Sequence, residues 1–203
     1  SPGNVAQPGK VDGLMRTDTS MVGKTRYERI EADAYQTPEW CVDVLTAKWN
    51  VEHMSIWEPA AGDGNIVSAL RRAGALVRLS DIKTGFDFLG PHNTAAPGVH
   101  AIVTNPPYNL AEAFIRHALD MPVQYVAMLL RNEYDCAKTR SDLFERDSFW
   151  RKIVLTKRPY WTENRTASPR HNYAWYIWNH AHKCGAVIEY GHPGDDKWKA
   201  RAA

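Results

Sequence analysis

The chain has no apolar run approaching the ~18 residues that a membrane-crossing helix needs, and its opening residues lack the apolar core of a signal peptide. No membrane partner is expected, and the expected setting is cytoplasmic. Cysteine is scarce: Cys41, Cys136 and Cys184 are odd in number and far apart. No disulfide framework fits that count and no pair has metal-ligand spacing, so a reduced protein without a bound metal is expected. Internal repeats and low-complexity tracts are missing as well. So is an excess of one charge, since 25 Lys and Arg stand against 23 Asp and Glu. A net +2 does not by itself mark a nucleic-acid binder. What is present is ordinary globular material, 44% hydrophobic and 24% charged over 203 residues. A chain of that length buries roughly 70% of its unfolded surface and needs no staple.

Residues 1–25 are polar, contain Gly and Pro, and read as a flexible arm that orders on binding. Residues 26–203 read as one domain. Its first helix is expected over Pro38–Lys48, with Thr37 as N-cap, Pro38 at the first helical position and Glu39 against the helix dipole. Strand-like and helical stretches then alternate. Ser55–Trp57, Leu76–Ser80, His100–Thr104 and Tyr125–Leu130 are short apolar runs. Ile66–Ala73 and Leu110–Asp120 carry apolar residues at helical spacing. Phe149–Lys157 and Tyr173–Trp178 look like the last two strands, paired as a hairpin. This order predicts an α/β fold, mostly parallel, with helices on both faces. Ligands in such folds sit at the carboxyl ends of the strands. The unusual turns at Glu58–Gly64, Asp81 and Asn105–Tyr108 fall there.

Glu58-Pro59-Ala60-Ala61-Gly62-Asp63-Gly64 leaves a strand and opens a helix. Its glycines permit a tight turn and let a ligand approach bare backbone. Asp81 follows Gly62 by 19 positions, close to the spacing of an acid that binds ribose hydroxyls. A dinucleotide site wants a third small residue where Val67 stands, and the carboxylates of Glu58 and Asp63 would repel a pyrophosphate. They suit a ligand with an ammonium and hydroxyls, which favours S-adenosylmethionine over NAD. In Gly85-Phe86-Asp87-Phe88-Leu89, Asp87 can accept from an adenine amino group and Phe88 can pack on the ring. A loop aspartate beside a core phenylalanine fits the same spacing.

Asn105-Pro106-Pro107-Tyr108 is the most informative tetrad. Two prolines fix the backbone and remove two donors, so nearby carbonyls can face a cleft without a competing amide. The Asn105 side-chain carbonyl and the Pro106 backbone carbonyl could then accept from one NH2 group, while Tyr108 offers a flat face to a planar substrate. Together with the glycine turn, this resembles the class I S-adenosylmethionine-dependent amino-methyltransferases, and in particular the DNA adenine methyltransferases. The resemblance runs from Tyr35 to Trp178. Tyr35-Gln36-Thr37-Pro38 is similar to the family's N-terminal donor motif. Glu58, Pro59, Ala60, Gly62 and Gly64 are similar to its glycine motif, Asp81 with Ile82 to its ribose-binding acid, and Asp87-Phe88 to its adenine-edge pair. Asn105, Pro106, Pro107 and Tyr108 match its catalytic tetrad.

The resemblance implies a Rossmann-like, seven-stranded, mostly parallel sheet with a C-terminal antiparallel hairpin. It implies S-adenosylmethionine as cofactor, and methyl transfer to the 6-amino group of adenine in DNA, on a base swung out of the stack. Adenine in RNA, the amide of a protein glutamine, and a binding module without turnover are the alternatives. An NAD oxidoreductase is disfavoured. The expected partner is DNA, or RNA in the alternative, bound by a monomer or homodimer. Ser148–Arg170 holds Arg151, Lys152, Lys157, Arg158, Arg165 and Arg170 against Glu163, a local +5 in a chain of +2. Aromatic residues are interleaved with these charges. Lys157, Arg158, Arg165 and Arg170 are therefore expected to meet phosphates, and Trp150 to stay in the core. Tyr173 and Trp175 resemble a late motif that lines the target-base pocket. A basic and aromatic insertion around 135–172 is the one region long enough to read a sequence.

Overall fold

A computed structural model of the chain describes residues 36–161 and 169–194. The expected arm over residues 1–25 lies outside the described residues, and so do Tyr35 and Arg165. Helix α1 spans Glu39–Lys48, strand β1 Ser55–Glu58, helix α2 Asn65–Arg72 and strand β2 Leu76–Leu79. Strand β3, Ala101–Thr104, is followed by helix α3, Ala111–Leu119, and strand β4, Tyr125–Arg131. Strands β5, Phe149–Leu155, β6, Tyr173–Asn179, and β7, Val187–Gly191, complete the sheet. Residues 135–148, expected as the start of an insertion, carry short 3-10 turns, and β5 itself belongs to the sheet.

The sheet order is β2-β1-β3-β4-β6-β5-β7. Strands β2, β1, β3 and β4 run parallel, β6 is antiparallel to both β4 and β5, and β7 runs parallel to β5. The chain leaves β1 toward β2 on one side and returns to β3 on the other. That creates a crevice at the carboxyl ends of β1 and β3. The hairpin of β5 and β6 is present as expected, but it is not the end of the sheet. Strand β7 adds beyond β5, with Val187, Ile188 and Tyr190 at 50–63% exposure.

Two cores follow from the period-2 alternation of strand side chains. Ile56, Ala101, Val103, Ala127, Leu129, Ile153, Trp175 and Ile177 meet α1 and α2 on one face. Trp57, Ile102, Val126, Met128, Leu130, Ala174, Tyr176 and Trp178 meet α3 on the other. Buried tryptophan needs a partner for its indole N–H. Trp175 donates to the Cys41 carbonyl at 2.7 Å, and Trp178 to the Leu143 carbonyl at 2.7 Å. Truncating either to Ala would cost roughly 3–5 kcal/mol. Among the described residues, no helix is long and apolar enough to cross a membrane and no His/Cys/Asp/Glu group could hold a metal ion.

Candidate active site

The glycine turn is built from backbone. After β1 the Ala60 N–H donates to Glu58 Oε1 at 2.9 Å, and the Gly62 N–H donates to Asp81 Oδ2 at 2.8 Å. Gly62 has φ +51° and Gly64, the N-cap of α2, has φ +88°. Both lie in the left-handed region, which glycine adopts without steric cost. A Cβ built at either glycine meets nothing within 4 Å, so the turn faces open space. Asp81 is buried just past β2. Its other oxygen takes the Lys83 N–H at 2.9 Å, which caps the short turn starting at Ile82. Each carboxylate oxygen carries lone pairs beyond these two bonds, enough for ligand hydroxyls.

Glu58 is fully buried, and burial pushes its carboxyl up to about 8, with the charge on Asp81 adding to the rise. The Ala60 N–H and the neighbouring Thr104 hydroxyl pull the other way. Thr104 Oγ1 and Glu58 Oε2 nonetheless stand buried without a formed hydrogen bond. Glu58 was counted above as a carboxylate that repels pyrophosphate. At neutral pH it is instead largely an uncharged acid.

Thr37 ties the crevice together. Its carbonyl accepts from Asn65 Nδ2 at 3.1 Å, at the start of α2, and its hydroxyl accepts from Asn105 Nδ2 at 3.1 Å. This corrects the expected N-cap. Pro38 stands at that place without a side-chain cap, and Thr37 turns its hydroxyl toward the Asn-Pro-Pro-Tyr corner. Gln36 donates to the Asp63 carboxylate, so the segment before α1 spans from the glycine turn to β3. Asn65 did not stand out in the sequence, and Gln36 did so only as part of the Tyr35–Pro38 motif. A polar side chain next to a glycine turn was the signal available.

Asn105 follows β3 directly, Pro106 and Pro107 are buried, and Tyr108 is 49% exposed. With its NH2 held by Thr37, Asn105 presents the amide oxygen as its unspent group. A pocket beside it is lined by Pro106, Tyr108, Arg131, Trp161 and Tyr173, with Leu129 and Leu130 behind. Tyr173 opens β6 opposite Arg131, the last residue of β4, and packs edge-on against Trp161 at 4.6 Å. Arg131 was missed by sequence reasoning, although it ends an apolar run at the edge where ligands bind. Beneath it lies a partly buried ion pair. Lys152 Nζ contacts Asp135 Oδ2 at 2.7 Å and donates to the Asn132 carbonyl at 2.8 Å. The Tyr176 hydroxyl reaches the Asn132 carbonyl at 2.8 Å.

Several expected residues lie elsewhere. Trp175 is fully buried against α1 and is not among the residues lining the pocket beside Asn105. It shares a sheet face with Tyr173, but two residues further along the strand that face is covered by α1. The Phe88 ring is 2% exposed and packs on Trp57, Phe114 and His117, so the core reading of that residue holds and its ring offers no face to a ligand. Asp87, half-buried, uses Oδ1 to hold the Leu89 N–H at 3.1 Å. Pro59 is buried, and Ala60 and Ile82 are half-buried beside the turn. Lys157, Arg158 and Arg170 are exposed past the carboxyl end of β5 and before β6. Arg158 holds Asn172 Oδ1 at 2.9 Å. Arg151 and Lys152, which swelled the local +5, are paired with Glu189 and Asp135. Trp150 is half-buried, with the Arg151 guanidinium 4.2 Å over its ring.

Among solved structures, a Listeria monocytogenes protein assigned as a class I S-adenosylmethionine-dependent methyltransferase superposes with a TM-score of 0.52 at 12% identity. The match covers 77% of this chain and 65% of that one. The fold is the Rossmann-like class I methyltransferase fold. The type I restriction enzyme EcoKI M protein shares it, with a TM-score of 0.51 and 12% identity over 77% of this chain and 48% of its own. This chain therefore spans about half the length of the EcoKI protein. A Lactococcus lactis protein assigned as a hemolysin also shares it, with a TM-score of 0.51 and 7% identity over 81% of this chain and 96% of that one. No family model matches the chain, and no curated protein matches it by sequence. At such identities the likeness is one of fold, and function has to be argued from the site.

Proposed function

We propose that this chain is an S-adenosylmethionine-dependent methyltransferase that acts on the 6-amino group of adenine in DNA. The observation that carries the reading is the bond from Asn105 Nδ2 to the Thr37 hydroxyl. It commits the amide nitrogen and leaves the amide oxygen as an acceptor, on a corner that Thr37 links to the glycine turn.

The residues present fit the cofactor. The Gly62–Gly64 turn has room for close approach, Asp81 has lone pairs for ribose hydroxyls, and Glu58 Oε2 is a buried carboxyl oxygen with no hydrogen-bond partner among the described residues, able to donate to the ligand in its protonated form. This reading also assigns Thr37, Pro38, Pro59, Ala60, Ile82 and Asp87 to the cofactor, and the buried Phe88 ring leaves only the backbone of that residue for the adenine. When bound, the cofactor supplies a methyl group on a sulfonium that is already an activated leaving group. The chain supplies position and electronics. The Asn105 amide oxygen and the Pro106 carbonyl would accept hydrogen bonds from the two N–H groups of the target amine, which makes its conjugated lone pair more available for attack. Pro107 keeps the corner rigid, and no separate general base acts before transfer. Once methylated, the amine would carry a positive charge, and these two acceptors would hold the proton that it gives up to water.

A nucleic-acid acceptor is supported by the exposed Lys157, Arg158 and Arg170 beside a pocket walled by Tyr108, Trp161 and Tyr173. An extruded base needs a flat partner, and its strand needs cations. The test is tritiated methyl transfer to DNA, RNA and protein, followed by nucleoside analysis of the product. Counts in DNA recovered as 6-methyladenine are expected. Counts only in RNA or in protein would overturn the DNA assignment while leaving amino-methyl transfer standing.

A further inference from the structure

Tyr108 offers its ring to a planar substrate, yet one face of that ring is already taken. The Arg131 guanidinium carbon lies 4.0 Å from the ring centroid, and Arg131 NH1 donates to the Tyr108 hydroxyl at 3.2 Å. A guanidinium stacks on an aromatic ring as a base does, at about the same separation. The two cannot occupy one face together.

The backbone at Arg131 is pinned. The Tyr176 hydroxyl reaches the Arg131 carbonyl at 3.2 Å, and the Asn132 N–H donates to the Asn172 carbonyl at 2.9 Å. Any yielding is therefore confined to the side chain. That side chain is incompletely satisfied where it rests, because Arg131 Nε is buried with no hydrogen-bond partner among the described residues. A cation held by a ring face and one hydroxyl gives way more readily than one locked by a carboxylate.

We propose that Arg131 is a plug that becomes a clasp: its guanidinium fills the stacking face of Tyr108 until a planar base displaces it, and it then pairs with a phosphate of the same strand. The inference rests on the nucleic-acid reading of this pocket. It makes Arg131 a positioning residue for base capture, with no part in moving the methyl group.

The experiment uses the full chain, its Arg131→Lys and Arg131→Ala variants, and a single-stranded oligodeoxynucleotide carrying one 2-aminopurine. Quenching of the 2-aminopurine reads stacking, followed by stopped flow and by titration at several salt concentrations. Arg131→Lys, which keeps the charge but not the plane, should quench faster than wild type and keep its salt slope. Arg131→Ala should also quench faster, bind about tenfold weaker, and lose about one unit of salt slope. Under turnover its KM should rise about tenfold with kcat within about threefold. Equal quench rates in all three proteins, or an unchanged salt slope in Arg131→Ala, would overturn the proposal. So would a fall in kcat at unchanged KM. If wild type modifies only RNA, the DNA assignment falls, and the same readings on a 2-aminopurine RNA oligomer decide Arg131. If wild type binds neither polymer, both readings fall.

Discussion

The two sides of the crevice are made differently. On the donor side, main-chain groups of Gly62 and Lys83 converge on one buried carboxylate, Asp81, and glycine conformations set the path. On the acceptor side the wall consists of side chains: Tyr108 after β3, Arg131 at the end of β4, Trp161 past β5 and Tyr173 at the start of β6. Backbone geometry suits a small ligand that never changes. Side chains drawn from four places suit a partner that varies, since each can be exchanged without disturbing the turn beneath the donor. Thr37 is where the two sides meet.

If that division is real, substitutions should separate binding from transfer. The largest effect belongs to Asn105→Ala, which removes the acceptor. Transfer should fall about 10³-fold while cofactor binding by titration calorimetry stays within about threefold. An equal loss in both would erase the distinction between the two sides. Asp81→Ala is the mirror case and should weaken cofactor binding by about 10- to 100-fold, with no effect of NAD in either protein. Glu58→Gln sharpens the donor side through pH. The folded carboxyl titrates near 8, well above the ordinary carboxylate range, so its neutral form favours folding. That stability is complete below the unfolded value and is lost as pH rises from there to about 8. Urea denaturation should therefore show Glu58→Gln gaining on wild type by about 4 kcal/mol at pH 8 and gaining little at pH 4. The smallest effect tests the shared residue. Thr37→Val should lower kcat about tenfold by freeing the Asn105 amide to turn, with cofactor affinity little changed, and Thr37→Ser should restore it. A cofactor affinity that falls in step with kcat would place Thr37 on the donor side alone.

The same division explains what could be read from the sequence. Spacing along one stretch of chain found the glycine turn, Asp81 and the proline corner, because each is local and each uses residues with few other employments. The alternation of strands and helices was equally plain, since every central strand is buried on both faces. Strand β7 was hidden because Val187, Ile188 and Tyr190 face solvent at an edge, where no apolar pattern marks a strand. Arg131 escaped because its importance comes from register: it pairs with Tyr173 from 42 residues away, and nothing near it in sequence says so. Trp175 and Phe88 were assigned to ligands on motif position, and packing claimed both. Thr37 has the residue type of a helix cap and sits at the right place for one. Only the distance to Asn105 shows the competing bond.

The ion pair of Lys152 and Asp135 under the Arg131 turn has a consequence for redesign. Lys152 is the buried member of the pair, and removing Asp135 would leave its ammonium unpaired, so the ledge it supports tolerates few single changes. Variants selected for a different acceptor should therefore accumulate on the outer wall, at Trp161 and Tyr173, and leave Lys152, Asp135 and Tyr176 as they are. Retuning this site is a matter of new upholstery on a fixed frame.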